Sequence, residues 1–250
     1  MCAILVCGMG AERYLGRMTT SRIALVTGAN QGLGRALVEA LAAGMTADDR
    51  VLLTGRDPGR VEAATAAVEE AGAVAAVEGR VLDVRNGDAI ATLAEELGAV
   101  DIVFSNATAR MSPDADPADE VDAVDAIVAD WRASVLSGRA VQDGFGTWLN
   151  IPSKVAQVAA VRAIARDRRD DDLAAGRLIM ALCPGLIDTD ASRPWFDDMS
   201  NAQTPAQAAA WPVSLALSAT FDPAFYGELV QFGKVLPWES GIPVPHTAVA

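Results

Sequence analysis

Three glycines stand at a fixed spacing, Gly28, Gly32 and Gly34, between the apolar run 22–26 and the helix-like segment 35–43. Glycine has no Cβ, so it lets the backbone turn sharply and approach another group closely. A helix that begins at such a turn directs its first N–H groups and the positive end of its dipole toward the turn. This layout predicts a strand, a turn and a helix that hold a dinucleotide pyrophosphate. The alternative is a tight structural turn.

Two arginines follow the second apolar run, at the position where a dinucleotide fold selects its cofactor. An acidic residue there accepts hydrogen bonds from the ribose hydroxyls of NAD, whereas an arginine accommodates the additional phosphate of NADP. Arg56 stands at this position and Arg60 follows one helical turn later. A planar guanidinium suits a phosphate, so the pattern favours NADP(H). Asp57 weakens this distinction, both arginines could simply be solvated, and NAD(H) stays the alternative.

The elements that must position these residues alternate along the chain from residue 22 onward. Strands are expected at 22–28, 50–54, 73–82, 100–104, 177–183 and 225–232. Helices are expected between them, at 33–43, 58–72, 87–97, 152–168 and 204–217. Regular alternation of this kind predicts an α/β fold of the Rossmann type, with a doubly wound parallel sheet flanked by helices.

Charge and composition exclude several classes of function. The chain has 250 residues, a formal net charge of −13 and 51% hydrophobic residues, which argues against nucleic-acid and anionic-membrane partners. Cys2, Cys7 and Cys183 lack metal-like spacing and are odd in number, so we expect no disulfide framework and a reducing, cytoplasmic location. His246 is the only histidine, which makes histidine catalysis or a multi-histidine metal site unexpected.

The first residues do not fit the alternating pattern. Their apolar stretch is about six residues long, far below the roughly 20 that a membrane-spanning helix needs. No basic residue precedes it, as a signal peptide would require. Met18 opens a strand-first domain more naturally. We therefore expect residues 1–17 to be a poorly ordered extension, 18–238 to form the NAD(P)-binding domain, and 239–250 to be a tail.

Several ordered motifs between about residues 20 and 238 resemble those of the short-chain dehydrogenase/reductase family, closest to its carbonyl-reductase-like branch. They are the glycine turn 27–34, Leu82-Asp83-Val84, Ser105-Asn106-Ala107, the Pro-Gly motif 183–189 and the closing segment 227–238. The resemblance implies an oxidoreductase that transfers hydride between NADP(H) and a small-molecule ketone, aldehyde or alcohol.

The resemblance also implies which residues contact the cofactor. Asp83 and Val84 would hold the adenine, while the Pro-Gly motif would bind the nicotinamide carboxamide. The full set expected at the cofactor is Gly28, Asn30, Gln31, Gly32, Leu33, Gly34, Arg56, Arg60, Asp83, Val84, Asn106, Ala107, Lys154, Pro184, Gly185, Ile187 and Thr189.

The catalytic residues of that family are only partly present. The family uses a tyrosine as acid and base, a lysine four residues later, and a serine on the preceding strand. Lys154 matches the lysine, but Asn150 stands where the tyrosine should be, and an amide cannot exchange a proton near neutral pH. Tyr14 and Tyr226 are distant in sequence. Ser137 has about the right spacing but continues a helical pattern, so we do not expect it to be the catalytic serine.

The segment between residues 108 and 150 contains no long apolar strand. From Asn106 to Lys154 there are 48 positions, too few for the helix, strand and helical insertion expected there. We therefore predict that the sheet lacks the family's fifth strand, and that the strand at 178–183 pairs directly with 100–104. The alternatives are a dimer partner or marginal stability, because unpaired buried backbone groups cost about 1–3 kcal/mol each.

Three functions remain compatible with the sequence. The first is an NADPH-dependent carbonyl reductase in which Lys154 holds the ribose and another group or water supplies the proton. The second is a catalytically impaired NADP-binding protein that serves as a sensor or partner subunit, and the third is a decaying relative without activity. The sequence leaves the substrate and the oligomeric state open.

Overall fold

Alternating strands and helices build one mixed sheet in the computed structural model, which describes residues 3–8, 21–107, 122–143 and 150–237. The strands are β1 Ala3–Gly8, β2 Ile23–Val26, β3 Arg50–Gly55, β4 Ala76–Val81, β5 Ile102–Ser105, β6 Arg177–Leu182, β7 Leu229–Gln231 and β8 Lys234–Val235. Their order in the eight-stranded sheet is β4-β3-β2-β5-β1-β6-β7-β8. This architecture confirms the α/β, Rossmann-type prediction.

The described residues form six helices, three of which begin with a side-chain cap. They are α1 Gly32–Gly44, α2 Pro58–Glu70, α3 Gly87–Leu97, α4 Asp122–Leu136, α5 Asn150–Ala174 and α6 Pro205–Leu217. The Asp57 side chain caps α2 by accepting from the Arg60 backbone N–H at 2.9 Å. Thr204 and Gln207 form a reciprocal capping box at the start of α6. Side chains that accept from otherwise unpaired N–H groups stabilise these helix ends.

The parallel part of the sheet follows from its apolar strands. β2 pairs in parallel with β3 and with β5, and β3 pairs in parallel with β4. Val51, Leu52 and Leu53 on β3 are fully buried. A strand that is apolar on both faces belongs in the interior of a sheet covered by helices on both sides. The carboxyl ends of these strands therefore meet at one edge, as the sequence predicts.

The N-terminal strand corrects the domain prediction. β1 lies between β5 and β6 and runs antiparallel to both, with Leu5 opposite Phe104 on one side and Met180 on the other. Ala3, Leu5 and Cys7 are buried. The expectation of a poorly ordered extension is thus wrong for residues 3–8. Residues 1–2, 9–20 and 238–250, which include Tyr14, Met18, His246 and the expected tail, lie outside the described residues.

The same strand overturns the predicted pairing of β6 with β5. Both strands expose backbone donors and acceptors along their facing edges, and β1 supplies partners to both. The backbone N–H and C=O groups along the facing edges of β5 and β6 thereby have partners, which avoids unsatisfied buried polar groups inside the sheet. The sheet is consequently not wholly parallel, since β8 also pairs antiparallel with β7.

The segment before α5 is helical where it is described. α4 includes the short apolar run 133–136 that was the best candidate for another strand, and Ser137 follows its end. Between residues 108 and 150, the described positions 122–143 contain no strand. None of the helices in the described ranges is long and apolar enough to cross a membrane.

Candidate functional site

A cavity of about 600 Å³ opens at the carboxyl ends of β2 to β5. Its walls come from the turn after β2, the end of β3 and the segments after β4 and β5, and a fifth wall comes from residues 188–193. Most of the residues predicted to contact a dinucleotide line it, namely Gly28, Asn30, Gln31, Gly32, Leu33, Gly34, Arg56, Arg60, Asp83, Val84, Asn106, Ala107 and Thr189. Ligands of open α/β sheets bind at this edge.

The glycine turn is shaped by positions that tolerate no Cβ. Gly28 has φ +62°, and a Cβ there would lie 2.8 Å from the Ala107 Cα. A Cβ on Gly34 would lie 2.6 Å from the Asn106 Nδ2. Gly32 also has a left-handed backbone, with φ +57°, and faces the methyl group of Thr189. The turn therefore keeps open a backbone-lined cradle at the start of α1, and a pyrophosphate fits such a cradle.

Asn106 and Thr27 hold this turn against the end of β5. The Asn106 Nδ2 donates to the carbonyl oxygens of Thr27 and Gly28, each at 3.1 Å. The Thr27 Oγ1 accepts from the backbone N–H groups of Asn106 and Ala107, each at 3.0 Å. Thr27 was not among the predicted site residues, although its hydroxyl at a strand end was a signal that could have identified it. Both side chains position the cradle through the backbone.

The far end of the cavity is rich in guanidinium groups. Arg56 is exposed, and no side chain in the described ranges bonds its guanidinium. Arg60 donates to the Gln31 Oε1 across the cavity wall. Arg85 also lines this end, although sequence reasoning did not select it. A cluster of this kind can bind a phosphate or another compact anion.

Asp83 is bound by Arg85 within the same segment. The Arg85 Nη2 donates to Oδ2 at 2.5 Å, the Nε lies 3.0 Å from Oδ1, and the backbone N–H donates to Oδ1 at 3.1 Å. These hydrogen bonds, with smaller help from Arg56, lower the pKa of Asp83 to about 2. The carboxylate predicted to hold the adenine is therefore ionised and already bonded at neutral pH.

The Pro-Gly motif after β6 forms the opposite end of the site. The Pro184 carbonyl accepts from the Gln203 Nε2 at 2.7 Å, which fixes the turn. Thr189 is nearly buried, and its Oγ1 lies 3.0 Å from the Ser192 Oγ. Thr189 lines the cavity, whereas Pro184, Gly185 and Ile187 are not among its lining residues. The structure thus brings only part of this motif to the cavity.

Lys154 lies in the first turns of α5 and is also absent from the cavity lining. Its Nζ donates to the Gln157 Oε1 at 3.0 Å. Asn150 begins the helix, but its side chain lies outside the described part of the chain. The arrangement preserves the lysine on the expected helix.

Tyr226 cannot supply the missing phenol to Lys154. It is buried, its hydroxyl donates to the Asp172 Oδ2 at 2.6 Å, and burial raises its pKa to about 12. Asp172 lies 18 residues after Lys154 on α5, which corresponds to about 27 Å along the helix axis.

Ser137 does not occupy a strand before α5. Its Oγ donates to the Ser134 carbonyl at 3.2 Å and closes the end of α4. The described residues therefore bring neither a tyrosine nor this serine to Lys154.

Comparison with known proteins gives a family match for part of the sequence and several structures of similar fold. Residues 22–137 match the family model described as short chain dehydrogenase. No curated protein matches the chain significantly. Among solved structures, the actinorhodin polyketide ketoreductase with NADPH is similar at 20% identity and a TM-score of 0.55, covering 85% of this chain and 95% of that protein.

Two further structures have the same fold. A 3-oxoacyl (acyl-carrier-protein) reductase from Agrobacterium tumefaciens with NADP bound is 24% identical, with a TM-score of 0.55 and coverage of 87% of this chain and 98% of that one. A short chain dehydrogenase/reductase family protein is 22% identical, with a TM-score of 0.56 and coverage of 85% and 95%, respectively.

Proposed function

We propose that the chain is a short-chain dehydrogenase/reductase that binds NADP(H) and acts on a small-molecule carbonyl or alcohol, since residues 22–137 match the family model and the fold is that of NADPH-bound ketoreductases. The observation that carries the proposal is the Cβ-free cradle of Gly28, Gly32 and Gly34 at the start of α1. A backbone turn of this shape accepts a pyrophosphate at the positive end of the helix.

Different residues of the cavity would bind different parts of the cofactor. The first turn of α1 would bind the pyrophosphate, and Arg56 and Arg60 would bind the phosphate on the adenosine ribose. Thr189, with the backbone of Pro184, Gly185 and Ile187, would orient the nicotinamide carboxamide. When bound, the nicotinamide would supply or accept the hydride.

The preference for NADP(H) over NAD(H) rests on charge. Three arginines and two aspartates line or cap the adenosine end, whereas the whole chain carries a formal net charge of −13. A local excess of positive charge in an acidic protein favours the more anionic cofactor. The ketoreductase and the 3-oxoacyl reductase with similar folds were solved with NADPH and NADP, respectively, which is consistent with this preference.

Proton transfer is the step for which the chain has no assigned group. The amide of Asn150 is not a general acid near neutral pH. The hydroxyl of Tyr226 donates to Asp172, far from Lys154. A water molecule or another side chain would have to protonate the product alkoxide during carbonyl reduction. The absence of an assigned proton donor supports a second candidate function. In that case the protein would bind NADP(H) without appreciable turnover.

Two measurements on the purified full chain separate these functions. Titration with NADPH and with NADH measures binding, and NADPH consumption with a panel of ketones and aldehydes measures turnover. Binding together with turnover supports the reductase, while binding without turnover supports the second candidate. Failure to bind either cofactor would contradict both.

A matched pair of glycine variants locates the binding site. Gly32→Ala places a methyl group in the cradle, whereas Gly98→Ala adds one at another glycine of positive φ, +69° against +57°, where a Cβ meets nothing within 4 Å. Gly98 is not among the cavity-lining residues. We expect Gly32→Ala alone to weaken NADPH binding, by about tenfold or more. Equal losses in the two variants would place the cofactor elsewhere.

A further inference from the structure

Arg85 lies at the end of the cavity where Arg56 and Arg60 are proposed to bind a phosphate. It follows β4, lines the cavity with Arg56 and Arg60, and chelates the carboxylate of Asp83. Each oxygen of Asp83 already lies within hydrogen-bond distance of two Arg85 nitrogens. Asp83 thus has little remaining capacity to accept a hydrogen bond from an adenine.

The charge of Asp83 matters for the cofactor that the cavity can admit. An uncompensated carboxylate repels a phosphate, and solvent reduces but does not abolish this repulsion at a side chain that is 34% exposed. Asp83 is close enough to Arg56 for the two charges to interact, so it shares the end of the cavity where the ribose phosphate is proposed to bind. Without Arg85, the carboxylate would attract Arg56 away from that phosphate.

The other carboxylate at this end is restrained in a different way. The Asp57 Oδ1 accepts from the Arg60 backbone N–H and caps α2, so it interacts with the positive end of that helix. Asp83 precedes α3 and caps no helix, and among the described residues the hydrogen-bond donors to its carboxylate all belong to Arg85. Arg85 is therefore the group that offsets its charge.

We propose that Arg85 is a specificity-determining positioning residue, which holds and neutralises Asp83 so that Arg56 and Arg60 can bind an adenosine carrying a 2′-phosphate. The inference rests on the proposed NADP(H) function and deepens it. Arg85 acts through Asp83 in this account. Loss of Arg85 should weaken phosphate binding because the charge of the Asp83 carboxylate is then uncompensated. Loss of that carboxylate as well should restore phosphate binding.

The experiment uses two small probes that differ only in the 2′-phosphate, adenosine 2′,5′-bisphosphate and adenosine 5′-monophosphate. Calorimetric titration of the full chain gives the ratio of their affinities for the wild type, Arg85→Gln, Asp83→Asn and the double variant. Arg80→Gln is the matched control, because Arg80 also pairs with a carboxylate, Glu78 at 2.6 Å, outside the cavity. Thermal unfolding verifies that each variant is folded.

We expect Arg85→Gln to lower the bisphosphate affinity about tenfold and to change the monophosphate affinity little, since only the former gains the repulsion. The double variant should return to within about threefold of the wild type, and Arg80→Gln should leave the ratio unchanged. A double variant as weak as Arg85→Gln, or equal losses for both probes, would overturn the role of Arg85.

Failure of this inference is distinguishable from failure of the proposed function. A wild-type chain that binds neither probe nor NADPH contradicts both proposals. A wild-type chain that binds the bisphosphate and is insensitive to Arg85→Gln contradicts only the assignment of Arg85.

Discussion

At the scale of single residues, one end of the cavity is lined by three guanidinium groups, those of Arg56, Arg60 and Arg85, whose partners differ. Arg60 is bonded to Gln31 and Arg85 to Asp83, while the exposed Arg56 has no side-chain partner among the described residues. Arg56 can therefore bind a ligand phosphate without breaking an existing hydrogen bond. This availability makes it the most direct site for testing cofactor choice.

Replacing Arg56 by alanine should separate the two cofactors. Loss of a charge-assisted contact costs about 1.5–3 kcal/mol, which corresponds to at least about tenfold in NADPH affinity. NADH lacks the phosphate, so its affinity should barely change. Fluorescence titration measures both, with Arg35→Ala as the control because Arg35 pairs with Glu39 on α1 outside the cavity. Equal losses for NADPH and NADH would refute the phosphate assignment.

Introducing the missing phenol should increase turnover. Residue 150 begins α5 and Lys154 lies about one turn later, so the two positions are on the same side of the helix. General acid catalysis typically contributes about 10²–10⁴ in rate, and Asn150→Tyr would restore the group that provides it. Initial rates of NADPH consumption across pH would measure the gain.

Asn150→Phe is the control for the phenol, because it adds the ring without the hydroxyl. We expect no gain from this variant. Rapid wild-type turnover with a pH profile that Asn150→Tyr leaves unchanged would show that the proton donor lies elsewhere.

The sequence predicted which residues line the cavity better than it predicted their side-chain partners. Glycine spacing and strand ends placed Gly28, Asn106 and Thr189 around one cavity, because parallel strands end at a common edge. The sequence could not show that Arg85 donates hydrogen bonds to the carboxylate of Asp83, because an arginine two residues away can equally point into solvent. The same limit applies to Pro184, whose expected contact depends on how a turn is fixed by Gln203.

At the scale of elements, β1 is the feature that differs most from expectation. Its residues alternate between buried and half-buried, and the half-buried Ile4 and Val6 also pack against the core. The six-residue strand can pair with the backbone groups of both β5 and β6 only because it lies between them. Its partners on β5 and β6 are distant in the sequence, so local pattern could not identify the pairing.

Truncating a side chain of β1 should therefore destabilise the whole domain. Leu5 is fully buried, and Leu5→Ala should lower the free energy of unfolding by about 2–5 kcal/mol through lost burial and a cavity. Urea denaturation measures this change. Ile90→Ala, at a position 42% exposed on α3, should change stability by less than about 1 kcal/mol. A neutral Leu5→Ala variant would show that residues 3–8 are not inside the sheet.

Element boundaries were less predictable than element types. The expected final strand 225–232 contains only Leu229–Gln231, because Pro223–Phe225 forms a 3-10 turn and Phe232 enters a tight turn with φ +49°. Helix α5 extends to Ala174, beyond the predicted 168, since its charged last turns include Asp172. That aspartate accepts hydrogen bonds from Tyr226 and Arg177, contacts with later parts of the chain that the local pattern could not reveal.

At the scale of the whole molecule, Asp172 links the end of α5 to β6 and to the turn before β7. It is buried and accepts from the Tyr226 hydroxyl at 2.6 Å and from the Arg177 Nε at 2.7 Å. Burial alone would raise the pKa of Asp172, but these hydrogen bonds and Arg168 hold it below its usual value. Stability from this carboxylate is therefore present above about pH 4 and lost as pH falls through the lowered folded-state pKa.

Asp172→Asn should lower the free energy of unfolding at pH 7 by about 1–3 kcal/mol, because a charge-assisted network becomes a weaker neutral one. Protonation weakens the wild-type network in acid, so the difference between the proteins should shrink below pH 4. Urea denaturation at pH 7 and pH 3 measures both values, with the exposed Asp190→Asn as the control. An equal difference at both pH values would exclude the titration of Asp172 as its cause.

The central placement of β1 has a consequence for biosynthesis. A nascent chain emerges from the ribosome in the N-to-C direction, so Leu5 emerges long before Met180, its neighbour in the finished sheet. The first apolar segment must therefore remain unpaired on one edge during most of elongation, when exposed strands are prone to aggregate. Nascent chains whose residues 177–182 have not left the ribosomal exit tunnel should depend on chaperones more strongly than longer chains in which β6 has emerged.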